Sequence, residues 1–356
     1  MNKIKILILS ILHLLVDGLC AYTVVNKLYL NDNYLVVTLV FIFYNILAFC
    51  FQPLIGILID KFKKEKMFLN ISLVLLVVAS IINIHWLVIV ILLGIANSIF
   101  HVVGGIYVVS YNENKMTFLG VFVSLGAIGI ALGTNLVNPI TLYIMLILTF
   151  ILGFIINILK IEKNAINDNI TYNIDKRNIK YICLLLIVVL IRAIMGSACK
   201  PEFDSTLISV ISISIGVALG KILGGILSDK FGIKYVTIVT LLLSLIGYFF
   251  FRNNVVIYII STILFNTTMP ITLYLSNKCL KNRYGLSFGL LAFTLFPGYL
   301  LGSLYLMLDL SLYPLIAISI VSSILIILYV NRGIKNAWCF NININNWTIY
   351  SIYIKI

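Results

Sequence analysis

Apolar runs alternate with short polar breaks along almost the whole chain, and most runs are long enough to cross a membrane. A helix needs about 20 apolar residues to span the hydrocarbon core. The links between the runs are mostly a few residues long, so no soluble domain fits between them. The pattern predicts twelve membrane-spanning helices, over residues 4–25, 34–58, 67–83, 86–110, 116–136, 140–159, 180–198, 206–228, 234–251, 254–276, 284–307 and 311–330.

A repeat divides this pattern into two parts. Residues 56–62 and residues 225–231 both read Gly-Ile-Leu-x-Asp-Lys-Phe, and they lie 169 positions apart. The same offset pairs Asn97 with Asn266, and it pairs three further glycines of the first part with glycines of the second. Doubling of a membrane-embedded unit is typical of secondary transporters. The sequence therefore predicts an internal duplication.

The longest link marks the join between the two units. We predict an N-terminal six-helix bundle over 1–159, a polar cytoplasmic linker over 160–179 and a C-terminal six-helix bundle over 180–330. Residues 331–356 form a tail, and from Phe340 onward the tail alternates apolar and polar residues with a strand-like period. No function follows from the tail.

Composition and charge agree with a membrane protein. Hydrophobic residues make up 62% of the chain and charged residues 10%, against roughly 25% charged residues in soluble domains. The net charge of +13 would suit nucleic acid, but most Lys and Arg fall in links on one side. Only Lys27, Lys200 and Arg252 lie in links on the other side. This positive-inside bias predicts that both termini are cytoplasmic and that the basic charge contacts lipid headgroups instead of a nucleic-acid partner. We also expect a monomer in the plasma (inner) membrane.

Charged residues inside the spans are the candidates for chemistry, because a charge at the bilayer centre costs about 2.5–3.5 kcal/mol on insertion scales. Asp17 lies one turn after His13 in the first span, so both side chains share a face that could pass a proton. His101 in the fourth span and Arg192 in the seventh complete the set of candidates for proton coupling. We hypothesise an Asp17–Arg192 pair across a cavity. The alternatives are a structural hydrogen bond for Asp17 and His13, and a snorkelling arginine.

Three further polar residues are candidates for lining a cavity or binding substrate. Asn97 and Asn266 occupy equivalent positions in the fourth and tenth spans, where an interhelical hydrogen bond is the alternative role. Lys221 lies near the inner end of the eighth span and could snorkel to lipid headgroups. If it faces inward, its charge favours an anionic or zwitterionic substrate.

The repeated loops carry a recognisable signature. Glycine lets another helix approach closely, and we expect the aspartate four residues later to cap the next helix. The signature residues, which are candidates for conformational gating, are Gly56, Asp60, Lys61 and Lys64 in the first copy and Gly225, Asp229, Lys230 and Gly232 in the second. With these residues, the chain resembles the major facilitator superfamily over about residues 4–330. The first copy departs from the family pattern at Lys63, where the family has Gly.

This resemblance implies two six-helix bundles related by a pseudo-two-fold axis along the membrane normal. It also implies that helices 1, 4, 7 and 10 line a central cavity. More narrowly, His13 with Asp17 and Phe100 with His101 resemble elements of the fosmidomycin-resistance branch of efflux transporters. Val102 replaces the Pro of that branch.

Signatures of other protein classes are missing from the sequence. It has no H-E-x-x-H pair, no G-x-x-x-x-G-K-[ST] loop, no G-x-S-x-G elbow and no C-x-x-C pair. We therefore expect no enzyme activity, no cofactor and no metal site. The predicted function is secondary active transport of a small organic solute, coupled to protons through Asp17, with efflux favoured. The alternatives are an uncoupled or proton-symport uptake carrier and a non-transporting, sensor-like relative.

Overall fold

The computed structural model describes the backbone of residues 2–29, 33–159, 175–204 and 206–353, and the side chains within these ranges from residue 3 to residue 336. Twelve long helices account for most of these residues. They are α1 (Lys3–Leu28), α2 (Tyr34–Phe62), α3 (Glu65–Ile81), α4 (Trp86–Tyr111), α5 (Met116–Asn135), α6 (Pro139–Ile158), α7 (Lys176–Ala198), α8 (Leu207–Phe231), α9 (Ile233–Phe250), α10 (Val255–Cys279), α11 (Tyr284–Met307) and α12 (Leu312–Asn336, which continues as helix to Tyr353).

The length of these helices suits a membrane protein. Eleven of the described helices are long and apolar enough to cross a bilayer. The remaining one, α3, has 17 residues, which is at the short end of the range for a spanning helix. Large apolar side chains such as Phe150 and Ile208 point outward and are more than 70% exposed. In a bilayer, these side chains would contact lipid instead of water.

The arrangement is that of two six-helix bundles, α1–α6 and α7–α12, and the two bundles repeat each other's contacts. Gly120 of α5 packs on the backbone carbonyl of Lys221 in α8. Gly289 of α11 packs on the carbonyl of Gln52 in α2. Gly120 and Gly289 are 169 positions apart, and so are Gln52 and Lys221. The duplication predicted from sequence is therefore present as a pseudo-two-fold relation between helix contacts.

Four of the described spanning helices are interrupted near their middle. The helix α2 breaks at Phe51 after a π-helical stretch, α5 at Leu125, α10 at Thr267 and α11 at Thr294. Pro270 and Pro297 follow the last two breaks by three residues, as expected because proline disrupts the bond to the carbonyl four residues earlier. The break in α5 has no proline, and it lies directly before Gly126.

Two sequence expectations need adjustment at the ends of the second bundle. The helix α7 begins at Lys176, capped by the Asp175 side chain, so it starts four residues before the predicted boundary at 180. Residues 160–174 of the predicted linker lie outside the described residues. The alternation from Phe340 does not correspond to a strand up to Tyr353, because α12 continues there as helix. Alternation over a few residues does not distinguish strand from helix when the chain continues an established helix.

Candidate functional site

Three predicted residues meet in one buried cluster between α1 and α4. His13 Nε2 lies 3.1 Å from Asp17 Oδ2 and 2.9 Å from His101 Nε2. His101 Nε2 lies 3.5 Å from Asp17 Oδ1. All three side chains are at most 9% exposed. We call these three residues the His–Asp cluster.

The outer nitrogen of each imidazole is already occupied by a backbone carbonyl. His13 Nδ1 lies 2.8 Å from the Phe122 carbonyl oxygen, and His101 Nδ1 lies 2.9 Å from that of Asn97. A carbonyl only accepts hydrogen bonds, so both Nδ1 atoms must donate a proton. In neutral rings, the two Nε2 lone pairs therefore point at each other and at the Asp17 carboxylate. Three facing acceptors need a proton or another cation between them.

Asn97 positions the carboxylate of this cluster. Its Nδ2 atom donates to Asp17 Oδ1 at 3.2 Å, and it also lies 3.5 Å from Cys20 Sγ and 3.4 Å from the Tyr44 hydroxyl. The sequence identified Asn97 as a cavity residue. Cys20 and Tyr44 gave no signal in the sequence, because a cysteine and a tyrosine inside an apolar span resemble ordinary packing residues.

The break in α5 brings a third helix against the cluster. The carbonyls of Phe122 and Val123, just before the break, accept from His13 Nδ1 and from Lys221 Nζ, the latter at 2.9 Å. Just after the break, Gly126 faces Asp17 and His13 so closely that a Cβ atom there would overlap Asp17 Oδ2. Gly126 is therefore a positioning residue of the site, although a glycine in an apolar span indicates by itself only close helix packing.

The other predicted charges lie in the second bundle, around a cavity of about 290 Å³. Arg192, Lys221 and Asn266 all line it. Arg192 is 8% exposed, and its guanidinium lies over the Phe265 ring, 5.4 Å from the ring centroid. Asn266 Nδ2 donates to the Thr262 carbonyl within α10 at 2.9 Å. Arg192 and Lys221 therefore face the protein interior instead of snorkelling outward.

The hypothesised Asp17–Arg192 pair is not formed. Asp17 makes its contacts with His13, His101 and Asn97, in the first bundle. Among the described side chains, Arg192 has no carboxylate partner, and its Nε atom is buried without a hydrogen bond. Equivalent depth in two helices does not bring two side chains together, because the direction of each side chain around its helix is set by packing.

The repeated loops join the two bundles at one end of the molecule, which we call the motif end. Asp60 accepts from the backbone nitrogens of Gly285 and Leu286, both at 2.9 Å, at the start of α11. Asp229 accepts from those of Met116 and Thr117, both at 2.9 Å, at the start of α5. Each carboxylate thus caps a helix, but the expectation that it caps the next helix is wrong. The capped helix belongs to the opposite bundle.

Glycines make these two contacts possible. A Cβ atom on Gly56 would overlap the backbone of Gly285, and one on Gly225 would overlap that of Met116. Each repeated loop also contains one residue whose backbone φ angle is positive. Gly232 ends α8 with φ +84° and Lys63 ends α2 with φ +53°. Gly232 and Lys63 are 169 positions apart and therefore occupy equivalent positions of the repeat. Lys63, which replaces the glycine of the family pattern, thus lies where the backbone conformation favours glycine.

The loop lysines differ from the aspartates because they make no contact between the bundles in the hydrogen bonds described. Lys61 and Lys64 are exposed, and Lys230 lies over the ring of its neighbour Phe231. Two additional contacts do join the bundles at the motif end. The Tyr284 hydroxyl donates to Glu113, and Lys278 donates to Asn114 Oδ1, both at 2.7 Å.

The His–Asp cluster is also the group of described residues able to hold a metal ion. Its three ligand atoms lie within 4.8 Å of one another. Zinc binds nitrogen and oxygen at about 2.0–2.2 Å, so the ligands on one ion lie about 3–3.5 Å apart. The two Nε2 atoms lie 2.9 Å apart and His13 Nε2 lies 3.1 Å from Asp17 Oδ2, close to this spacing. His101 Nε2 lies 3.5 Å from the other carboxylate oxygen, Asp17 Oδ1. Both imidazoles also donate Nδ1–H to a carbonyl, as metal-bound histidines usually do.

Comparison with solved structures supplies close matches in fold. A major facilitator superfamily transporter, FucP, in the outward conformation matches with a TM-score of 0.68 and 12% identity, covering 93% of this chain and 98% of that chain. The chain has the fold of the major facilitator superfamily. A variant of the E. coli fucose:proton symporter FucP matches with a TM-score of 0.65 and 11% identity, over 93% and 98% of the two chains.

A third solved structure also shares the major facilitator fold. A bacterial homologue of the iron transporter ferroportin, in an outward-facing state, matches with a TM-score of 0.57 and 13% identity, over 93% of this chain and 99% of that chain. No model of a protein family matches the sequence, and no curated protein matches it either. Helices α1 and α4 carry the His–Asp cluster, and α7 and α10 supply most of the wall of the cavity in the second bundle. No described residue of α1 or α4 lines this cavity, so a central cavity shared by all four helices stays a prediction of the resemblance.

Proposed function

We propose that this protein is a secondary active transporter that moves a small organic solute by alternating access. The observation that carries the proposal is the duplicated contact at the motif end, where Asp60 and Asp229 each cap a helix of the opposite bundle. A cavity and a buried ionisable cluster lie in the interior. Two bundles held by matched, breakable contacts at one end can rock about an interior site.

The motif end is closed by hydrogen bonds and by glycine contacts between the bundles. The positive-inside bias assigns this end to the cytoplasm, so the state described here would face outward. Two of the matching structures carry the same description, outward conformation and outward-facing state. The loop residues would then act as the gate, since inward opening requires both aspartates to leave their helices.

Proton coupling is proposed to occur at the His–Asp cluster. The three facing acceptors need a cation between them, and a proton satisfies that need directly. Removal of the proton would leave lone pairs in contact and would favour a different arrangement of α1 and α4. A fucose:proton symporter shares the fold, which supports coupling to protons without fixing the direction of transport.

Efflux remains the favoured direction, by resemblance of His13, Asp17, Phe100 and His101 to the fosmidomycin-resistance branch. Efflux driven by inward proton flow would make the protein an antiporter in the plasma membrane, acting as a monomer with both termini cytoplasmic. The rival is an uptake carrier, either uncoupled or a proton symporter. The third alternative is a sensor-like relative that binds a solute without transporting it.

Reconstitution of Asp17→Asn tests this function. A drug and metabolite sensitivity panel, in a host without its own pumps, first identifies a transported solute. Proteoliposomes with an internal pH-sensitive dye then report proton movement when that solute is added. We expect Asp17→Asn to lower solute-dependent proton flux at least tenfold, because an amide cannot carry the exchanged proton.

The matched control is Asp309→Asn, which changes an exposed aspartate in the turn between α11 and α12. It should leave flux unchanged. Full flux in Asp17→Asn would reject coupling at this residue and favour the uncoupled carrier. A purified protein that binds the solute but never moves it would favour the sensor-like relative.

The geometry of the His–Asp cluster supports a second candidate function, transport of a divalent transition-metal ion. The observation that favours it is that two imidazole nitrogens and the Asp17 carboxylate lie within 4.8 Å of one another, and these are groups that bind such ions. A homologue of an iron transporter shares the fold, which agrees with this candidate but does not carry it.

Calorimetric titration of the purified protein with Zn²⁺ distinguishes the two candidates. The metal candidate predicts one bound ion per chain, lost in His101→Asn and retained in His85→Asn, which alters a histidine outside the cluster that caps α4. Absence of saturable binding in the wild-type protein would reject the metal candidate and leave the proton as the cation of the cluster.

A further inference from the structure

The cavity of the second bundle has an unusual balance of charge. It is lined by residues of α7–α11, and its charged wall residues are Arg192 and Lys221. None of its lining residues is acidic. A buried positive charge without a counter-ion is costly in a membrane protein. Two such charges at one cavity indicate that a negative charge belongs there.

Arg192 has donors that nothing in the described protein accepts. Its Nε atom is buried with no hydrogen bond. One terminal nitrogen has only the Met269 sulfur, a weak acceptor, at 3.9 Å. The Phe265 ring, 5.4 Å away, offers a cation–π contact but no hydrogen-bond acceptor of ordinary strength. Arg192 therefore lines the cavity with a guanidinium that has no strong hydrogen-bond acceptor on its Nε atom or on the terminal nitrogen beside Met269.

Lys221 adds a second positive group. Its ammonium donates one hydrogen bond to the Val123 carbonyl across the bundle interface at 2.9 Å. An ammonium has three donors, so this contact leaves others for a ligand. The nearby aspartates are already engaged. Asp229 caps α5, and Asp17 contacts the two histidines.

The remaining polar groups of the wall satisfy one another. The Tyr248 hydroxyl donates to Thr262 Oγ1 at 3.0 Å, and the Tyr258 hydroxyl donates to the Cys199 carbonyl at 2.9 Å. Their rings, together with Met195 and Phe265, give the cavity an apolar surface beside the two cations. Such a wall can pack against apolar groups of different shape, so the two cations would determine which charged group the ligand must carry.

We propose that this cavity binds a small organic anion, with a carboxylate or phosphate group on Arg192 and Lys221 and an apolar body against Tyr248, Tyr258 and Phe265. A carboxylate or phosphate matches the guanidinium fork with two parallel hydrogen bonds. The volume of about 290 Å³ lies at the small end of the range for ligand pockets. The proposal names the substrate class of the transporter and rests on the proposed transport function.

Matched pairs of probes test the head group without knowledge of the natural solute. Purified full-length protein in a neutral detergent is titrated with benzoate, phenylphosphonate and hexanoate, and with the neutral partners benzamide and hexanamide. Thermal unfolding and calorimetry report binding. We expect the anions to raise Tm and to bind at least about tenfold more tightly than their neutral partners, the ratio that one charge-assisted hydrogen bond supplies.

Two arginines of the chain provide a matched comparison. Arg192 and Arg252 are equally buried, at 8% exposure, but Arg252 lies 2.6 Å from Glu202. Arg192→Gln should abolish the preference for anions without lowering the ligand-free Tm, since it removes an uncompensated charge. Arg252→Gln should lower the ligand-free Tm and keep the preference for anions.

Three outcomes would overturn the proposal. They are equal binding of anions and amides, a ligand-free Tm that falls in Arg192→Gln as it does in Arg252→Gln, and stabilisation by anionic phospholipid but by none of the soluble anions. Failure of the transport function is a separate result. Protein in liposomes that binds benzoate but moves no solute would reject transport and keep the anion site. Undiminished transport of a neutral solute by Arg192→Gln would keep transport and reject the anion site as the substrate site.

Discussion

The two bundles share their packing but not their interior chemistry. Leu14 contacts Gly129 in the first bundle as Leu190 contacts Gly298 in the second, so α1 and α7 are related by an offset of 176 positions. At the offsets of 176 for α1 and 169 for α4, the counterparts of His13, Asp17 and His101 are Val189, Ala193 and Pro270. The second bundle therefore has no equivalent of the His–Asp cluster.

The reverse holds for the cations. Arg192 corresponds to Val16, and Lys221 corresponds to Gln52. The first bundle thus holds the His–Asp cluster, where we propose that a cation binds, and the second holds a cavity with two basic and no acidic residues in its described lining. The aspartate caps at the motif end are identical in register in both bundles. Packing that closes the gate tolerates little change because backbones touch there, whereas interior side chains can change independently in each copy.

The first prediction disturbs the His–Asp cluster by a substitution at Gly126, which contacts it, and leaves the three cluster residues themselves unchanged. Gly126→Ala should lower solute-dependent proton flux at least tenfold, because the added Cβ would displace the Asp17 carboxylate and the His13 ring. Anion binding in the second bundle should persist. The measurements are flux in proteoliposomes and the Tm shift with benzoate.

Gly153→Ala is the control for this prediction, since a Cβ atom there meets the end of the flexible Leu73 side chain. It should leave proton flux within about twofold of wild type, the effect of a few tenths of a kcal/mol. Unchanged flux in Gly126→Ala would mean that the cluster is not the coupling site.

The second prediction concerns the shared part of the two bundles. Asp60→Asn and Asp229→Asn each weaken a charged cap on a helix N-terminus, at a cost of about 1 kcal/mol. Each should increase opening of the motif end about fivefold, and the double variant about thirtyfold if the contacts are independent. The two single variants should have similar effects, with the larger one in Asp229→Asn, because Asp229 also accepts from the Thr117 hydroxyl at 2.6 Å.

Cysteine labelling measures this opening. Ile59→Cys and Ser228→Cys, in a background without other cysteines, place thiols at equivalent buried positions, 0% and 2% exposed. Each aspartate substitution should speed maleimide labelling at both positions. Faster labelling in only one single variant would show that the gate is asymmetric despite its matched geometry.

The third prediction uses Gly232, which has φ +84° and ψ +152°. Only glycine adopts this conformation readily, so Gly232→Ala should destabilise the protein by about 1–3 kcal/mol. Thermal unfolding in detergent measures the loss. A Tm equal to that of wild type would mean that the loop relaxes at little cost.

The smallest expected effect is at the equivalent position of the first loop. Lys63 adopts a left-handed conformation, with φ +53° and ψ +33°. Lys63→Gly should stabilise the protein by about 0.5–1 kcal/mol, because relief of backbone strain exceeds the added entropy of glycine in the unfolded chain. A rise in Tm of about 2 °C is expected. A fall in Tm would indicate that other contacts of the Lys63 side chain outweigh the strain.

The sequence by itself determined the fold class, the duplication and the residues that bear charge inside the spans. These features depend on local pattern. Apolar runs of spanning length must form helices, because backbone polar groups find no water in the bilayer. An ionisable residue within such a run is conspicuous because it is costly. For this reason Asp17, His101, Arg192 and Lys221 could all be identified from their positions in the apolar runs.

Only the tertiary structure decided which of these residues meet. His101 joins His13 and Asp17 through the packing of α1 against α4, whereas Arg192 turns toward a separate cavity in the second bundle. The repeated aspartates cap helices more than 100 positions away, and the nearest helix in sequence was the wrong expectation. Periodicity fixes the face of a helix, but the partner of that face depends on how twelve helices pack, which no local pattern encodes.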